Sequence, residues 1–138
     1  MTNEHTRQTL RPVAGGMITA KLADEIARLK GAAEWKSGDR HAISLVKDSA
    51  LNVLLMVLKK GAHLHEHRTK GPITVQVVSG SIRFSAGADQ RVISAGEMVG
   101  LDRDIAHSVE ALEESAFILV TAINWRTVRW VRRVIWKL

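Results

Sequence analysis

The amino-acid sequence predicts a mostly β domain, an antiparallel sandwich or barrel with a helix at each end. Three observations carry this expectation. Between residues 41 and 122 the chain breaks into short β-like runs separated by turn signals at near-regular spacing, the pattern of antiparallel double-sheet folds. Helical periodicity is confined to the two ends. A chain of 138 residues with 46% hydrophobic content suits one domain with a true core, and no apolar run approaches the ~18 residues of a membrane span.

Residues 1–16 are polar and contain Pro12 and the pair Gly15-Gly16, so they are expected to form a flexible arm; they also lack the apolar stretch of a signal peptide. The folded domain is expected over 17–122. Ile18, Leu22, Ile26 and Leu29 recur at helical spacing, with Thr19 placed to open an amphipathic helix and Gly31 to close it. Trp35 just beyond it reads as a packing anchor. Strands follow at 41–46 and 51–58, the second almost wholly apolar, as in a strand covered on both faces. Lys59-Lys60-Gly61 makes a turn into the histidine-bearing run at 63–67. Further strands are expected at 73–78, 81–85, 91–94, 97–101, 107–111 and 116–122, with Ala86-Gly87-Ala88-Asp89 as a hairpin turn. Parity from Ile73 puts Thr74 and Gln76 on the solvent side or on a dimer surface.

Residues 123–138 are different. On a helix, Val128, Val131, Val134, Ile135 and Leu138 fill one arc and Arg126, Arg129, Arg133 and Lys137 the opposite one, with Trp125, Trp130 and Trp136 on the borders and Asn124 placed to cap the start. This segment is expected to be a basic amphipathic helix that packs its aliphatic arc on the barrel or on a second subunit. Contact with an anionic membrane surface is the lesser reading. The same segment explains the charge. Of a net +6, Arg126, Arg129, Arg132, Arg133 and Lys137 contribute five within the last fifteen residues, leaving the remainder near neutral. The basic balance therefore describes a tail, and no nucleic-acid partner is expected. The absence of cysteine excludes disulfides, thiolate ligands and cysteine nucleophiles, with cytoplasmic location as the default expectation.

The stretch that organises the rest is 61–80, GAHLHEHRTKGPITVQVVSG. His63, His65 and His67 recur at every second residue, and in a regular strand such residues share a face. Imidazoles gain little from crowding unless something such as a metal ion draws them together. A second block, residues 96–107, starts at Gly96 and ends at His107.

Together the two blocks resemble the paired motifs of the cupin superfamily, and the tail from His107 to Phe117 looks like that of the small single-domain cupins. The spacing from Gly96 to His107 reproduces the second motif, with Asp102 in place of its proline and Asp104 in place of its glycine; Asp tolerates the left-handed turn conformation better than most residues. In the first motif the slot that holds a glutamate in the family falls, counted back from Gly80, on Ile73, and the loop after His67 is longer than usual. The resemblance covers roughly residues 44–122. It implies a double-stranded β-helix, or jelly-roll barrel, with a metal held by His65, His67 and His107, and His63 as a fourth ligand or rim residue. The ion implied is a divalent transition metal (Zn, Fe, Ni, Mn or Cu), with an open position for water or a small-molecule ligand. A metal-free ligand-binding or sensor module is the alternative, motivated by Ile73. No serine, lysine or carboxylate pair stands out as a catalytic group. Asp102 and Asp104 are read as turn residues rather than as partners that orient His107. A homodimer is expected, since such cupins commonly pair and the run 51–58 is long and apolar.

Overall fold

The computed structural model describes residues 16–122, so the expected arm, apart from Gly16, and the basic terminal helix lie outside the described residues. Two helices come first, α1 (Leu22–Gly31) and α2 (Ala33–Ser37). Nine strands follow: β1 (Arg40–Lys47), β2 (Leu51–Leu58), β3 (His63–His67), β4 (Ile73–Ser79), β5 (Ser81–Ala86), β6 (Asp89–Ser94), β7 (Met98–Leu101), β8 (His107–Ala111) and β9 (Ser115–Ala122). They form a five-stranded sheet, β1-β2-β9-β4-β7, facing a four-stranded one, β3-β8-β5-β6. Every pairing is antiparallel. Only β1-β2 and β5-β6 pair with their sequence neighbours; the other pairings bring distant segments together, as in a jelly roll.

Alternation along strands such as β4 and β8 helps build two cores from this arrangement. Between the sheets lie Leu58, Ile73, Val75, Val77, Ile82, Phe84, Ile93, Val109, Ala111 and Phe117. On the outer side of the larger sheet, α1 and α2 set Leu22, Ile26, Leu29 and Trp35 against Ile43, Leu45, Leu55, Val57 and Ala116. Strands β2 and β9 contribute to both, which is why their sequences read as continuous apolar runs. Leu55 and Val57 of β2 are thus covered by the chain's own helices.

The helix starts later than its periodicity implied. Ile18 and Thr19 precede it, Lys21 occupies the N-cap position, and no side chain caps it. Its charges still suit the helix dipole, with Asp24 and Glu25 in the first turn and Arg28 and Lys30 in the last. Gly31 ends it, and the N–H of Ala32 donates to Leu29 O at 3.3 Å. Trp35 is buried, as an anchor should be, with Lys59 Nζ 5.1 Å above its ring. Gln76 is exposed and Ile73 buried, in keeping with the parity of β4. No helix among the described residues is long and apolar enough to cross a membrane.

Candidate functional site

The site is built where the end of β3 meets the start of β8. Residues 68–72 and 102–106 lead away from and into these strands, and the two loops are tied to each other. Arg68 Nη1 donates to the carbonyl of Asp104 at 2.6 Å, and the Asp104 N–H donates to Thr69 O at 2.9 Å. Asp104 takes φ 59°, the only positive φ outside glycine among the described residues, which fulfils the expectation that it replaces a turn glycine. Asp102 accepts from the Arg103 N–H at 2.8 Å and lies 3.7 Å from its guanidinium, so it shapes the turn. The β5–β6 hairpin joins through Gly87 N–H to Ala106 O at 3.4 Å.

These loops deliver His107 to the barrel interior. It is one of three buried polar or charged residues among the described residues, and His67 stands directly opposite it in the β3–β8 register. Their ring centroids are 4.3 Å apart. Phe84 lies under His107, nearly parallel at 12° with 5.8 Å between centroids. Each imidazole is locked by a main-chain carbonyl two residues back: His107 Nδ1 lies 2.9 Å from Ile105 O, and His67 Nδ1 lies 2.9 Å from His65 O. A carbonyl has no proton to give, so both Nδ1 atoms must donate, and when the rings are neutral the lone pairs sit on the two Nε2 atoms. Burial pushes the pKa of His107 down. The Ile105 carbonyl opposes that shift and the neighbouring His67 adds to it. His107 is therefore a neutral ring at neutral pH.

The expectation that His63, His65 and His67 share one face is not met. The β3–β8 register pairs Leu64 with Val109 and His67 with His107, three steps along one strand against two along the other. That extra residue is a β-bulge, and it resets the alternation between Leu64 and His67. Leu64 packs against the interior core, so His63, its neighbour before the bulge, lies on the outer face, paired with Glu110. His67, after the bulge, faces inward with His107. His65 is exposed, and its carbonyl serves the pair. Ile73, in the slot that carries a glutamate in the resembled family, is buried in the interior core. Among the described residues, no group of three or more His, Cys, Asp or Glu side chains is placed to hold a metal ion. Two imidazoles with locked tautomers are good metal ligands, but with hydrocarbon at position 73 they do not make a complete protein ligand set.

Phe84, Arg68 and the Ile105 carbonyl escaped the sequence reading. Phe84 had a signal, since it follows Ile82 at strand spacing and so shares its inward face. The other two follow from loop contacts that no local pattern encodes.

No protein-family model and no curated protein sequence matches the chain. Solved structures do. A cupin-2 domain containing protein from Shewanella frigidimarina superposes with TM-score 0.62 over 75% of this chain and 94% of its own, at 13% identity. An RmlC-like cupin family protein with a double-stranded β-helix fold from Methanocaldococcus jannaschii gives TM-score 0.58 over 65% and 85%, again at 13% identity. Oxalate decarboxylase from Bacillus subtilis, described with Mn(II) centres, gives TM-score 0.57 at 22% identity, over 61% of this chain and 25% of that one. Two facing antiparallel sheets with a histidine pair at one end of the interior define a small β-barrel of the double-stranded β-helix class. Its fold is that of the cupins.

Proposed function

We propose that this protein is a small-molecule-binding cupin whose His67–His107 pair recognises its ligand directly, without a resident metal. One observation carries the reading: Ile73, in the slot that the resemblance to the cupins gives to a carboxylate ligand, is buried in the interior core. What remains at the barrel end is a pair of imidazoles whose Nε2 atoms accept hydrogen bonds, beside the face of Phe84. Such a site suits a small ligand that carries hydrogen-bond donors and an apolar edge. The ligand approaches from the exposed side, where His67 lies, and His107 forms the floor.

A second reading has its own support. Both rings are held by Nδ1–H to carbonyl bonds, the arrangement that prepares Nε2 for a metal. Oxalate decarboxylase, a neighbour in fold, is described with Mn(II). In this reading the histidine pair supplies two ligands and a substrate or water completes the shell. Protein prepared without a histidine tag separates the two. Elemental analysis and melting curves with Zn²⁺, Mn²⁺ and Ni²⁺, against a panel of small hydroxylated compounds and amides, are expected to show stabilisation by an organic ligand that disappears in His107→Ala. Stoichiometric metal, with a melting temperature that rises on metal addition alone, would overturn the metal-free reading in favour of the second.

A further inference from the structure

The outer face of the smaller sheet carries a second concave site, separate from the histidine pair. Cross-strand register builds it in two rows. In the first, β3, β8 and β5 place His63, Glu110 and Arg83 side by side, since His63 pairs with Glu110 and Glu110 with Arg83. In the second, β8, β5 and β6 place Ser108, Ser85 and Gln90 in line. The residues between these positions, Leu64, Val109 and Phe84, belong to the interior core, so the polar rows are forced outward. The rows enclose an open pocket of about 350 Å³, with Val109 between them.

Its polar groups are already arranged. Glu110 Oε2 lies 3.0 Å from Arg83 Nη1 and 3.9 Å from His63 Nε2. Glu110 is partly buried, and Arg83 and His63 remain accessible beside it. The Arg83 and Glu110 charges cancel, which removes the driving force for a free anion or cation. What the pocket offers is a fan of polar groups: two hydroxyls, an amide, an imidazole, and a guanidinium–carboxylate pair. These alternate as donors and acceptors over a short span, and vicinal hydroxyls need that pattern because each donates and accepts at once.

We propose that this pocket is a binding site for a neutral polyhydroxylated small molecule, a monosaccharide or a sugar alcohol. It works independently of the barrel interior. The bulge in β3 lets one strand serve both sites, giving His63 to the outer pocket and His67 to the inner pair.

The test is amide chemical-shift mapping on the full-length, isotope-labelled chain, with D-glucose and D-mannitol as polyol probes and inorganic phosphate as the anionic control. The expected result is saturable shifts clustered at residues 83, 85, 108 and 110 with at least one polyol and none with phosphate. The double variant Arg83→Ala/Glu110→Ala removes both charges together, so neither is left unpaired. It is expected to weaken polyol binding by about tenfold or more, the effect of losing one or two hydrogen bonds to charged groups, while its amide spectrum stays folded. The proposal is overturned by an absence of saturable polyol shifts, by shifts that follow phosphate instead, or by undiminished binding in the double variant.

Discussion

Replacing His107 by alanine should be far more costly to the fold than replacing His67, although both rings belong to one site. His107 is 3% exposed, stacks on Phe84, and supplies the Nδ1–H that satisfies the Ile105 carbonyl. Removing it leaves a cavity beside Phe84, at about 2–3 kcal/mol, and forfeits an aromatic contact of about 0.5–1.5 kcal/mol, while the carbonyl of the exposed Ile105 returns to water. The expected loss for His107→Ala is therefore about 2.5–4.5 kcal/mol, within the range of large single-residue effects. His67 is exposed, as is the residue whose carbonyl it bonds, so water takes over the lost contact and the cost stays below about 1 kcal/mol. Urea denaturation at neutral pH measures both. Each single variant should nonetheless lose ligand binding, so the two readouts separate support from recognition. Equal stability losses, or a larger loss for His67→Ala, would show that His107 is not the buried floor of the site and would undo the argument for its neutral state.

Three further outcomes follow from the same geometry. Because burial holds the His107 pKa below that of the unfolded chain, the unfolded state takes up its proton first on acidification. His107 thus lowers stability progressively once the pH falls below about 6.5, the unfolded value. Denaturation midpoints across that range should fall in the wild type and fall less in His107→Gln. Ile73→Glu buries a carboxylate in place of a side chain whose burial is worth about 1.5–3 kcal/mol, so its melting temperature should drop sharply without metal and recover with Mn²⁺ or Zn²⁺. A variant that never recovers would mean that position 73 does not converge on the histidine pair. A Cβ on Gly71 would collide with the main-chain carbonyl of Ala122, so Gly71→Ala should cost about 1–3 kcal/mol and loosen the end of β9, seen as faster hydrogen exchange at the Ala122 amide.

Much of the fold was legible because it rests on local signals. The run 51–58 announces a central strand by its composition, and the observed β2 and β8 have the expected bounds. Asp104 could be anticipated in the left-handed conformation because its place in the spacing demands a residue that tolerates it. The site was only partly legible. His107 turns inward and meets His67, whereas His63 lies on the outer face, because alternation is a sound rule only while the ladder is regular. A bulge is decided by how two strands meet, and HLHEH contains no glycine to announce one. The outer pocket was illegible for the same reason: Arg83, Ser85, Ser108 and Glu110 are unremarkable in sequence and become neighbours only through the β5–β8 register.

The tie between Arg68 and the Asp104 carbonyl has a consequence for how the barrel end holds its shape. Two segments more than thirty residues apart in the chain are clasped by one side chain reaching a main-chain atom. Glycine or asparagine, which tolerate the left-handed backbone at 104, leave the clasp intact, whereas shortening the arginine leaves the loops tied through the Asp104 N–H to Thr69 O bond. The rim is thus closed twice, once by a side chain on main chain and once by main chain on main chain, and substitution can remove only the first.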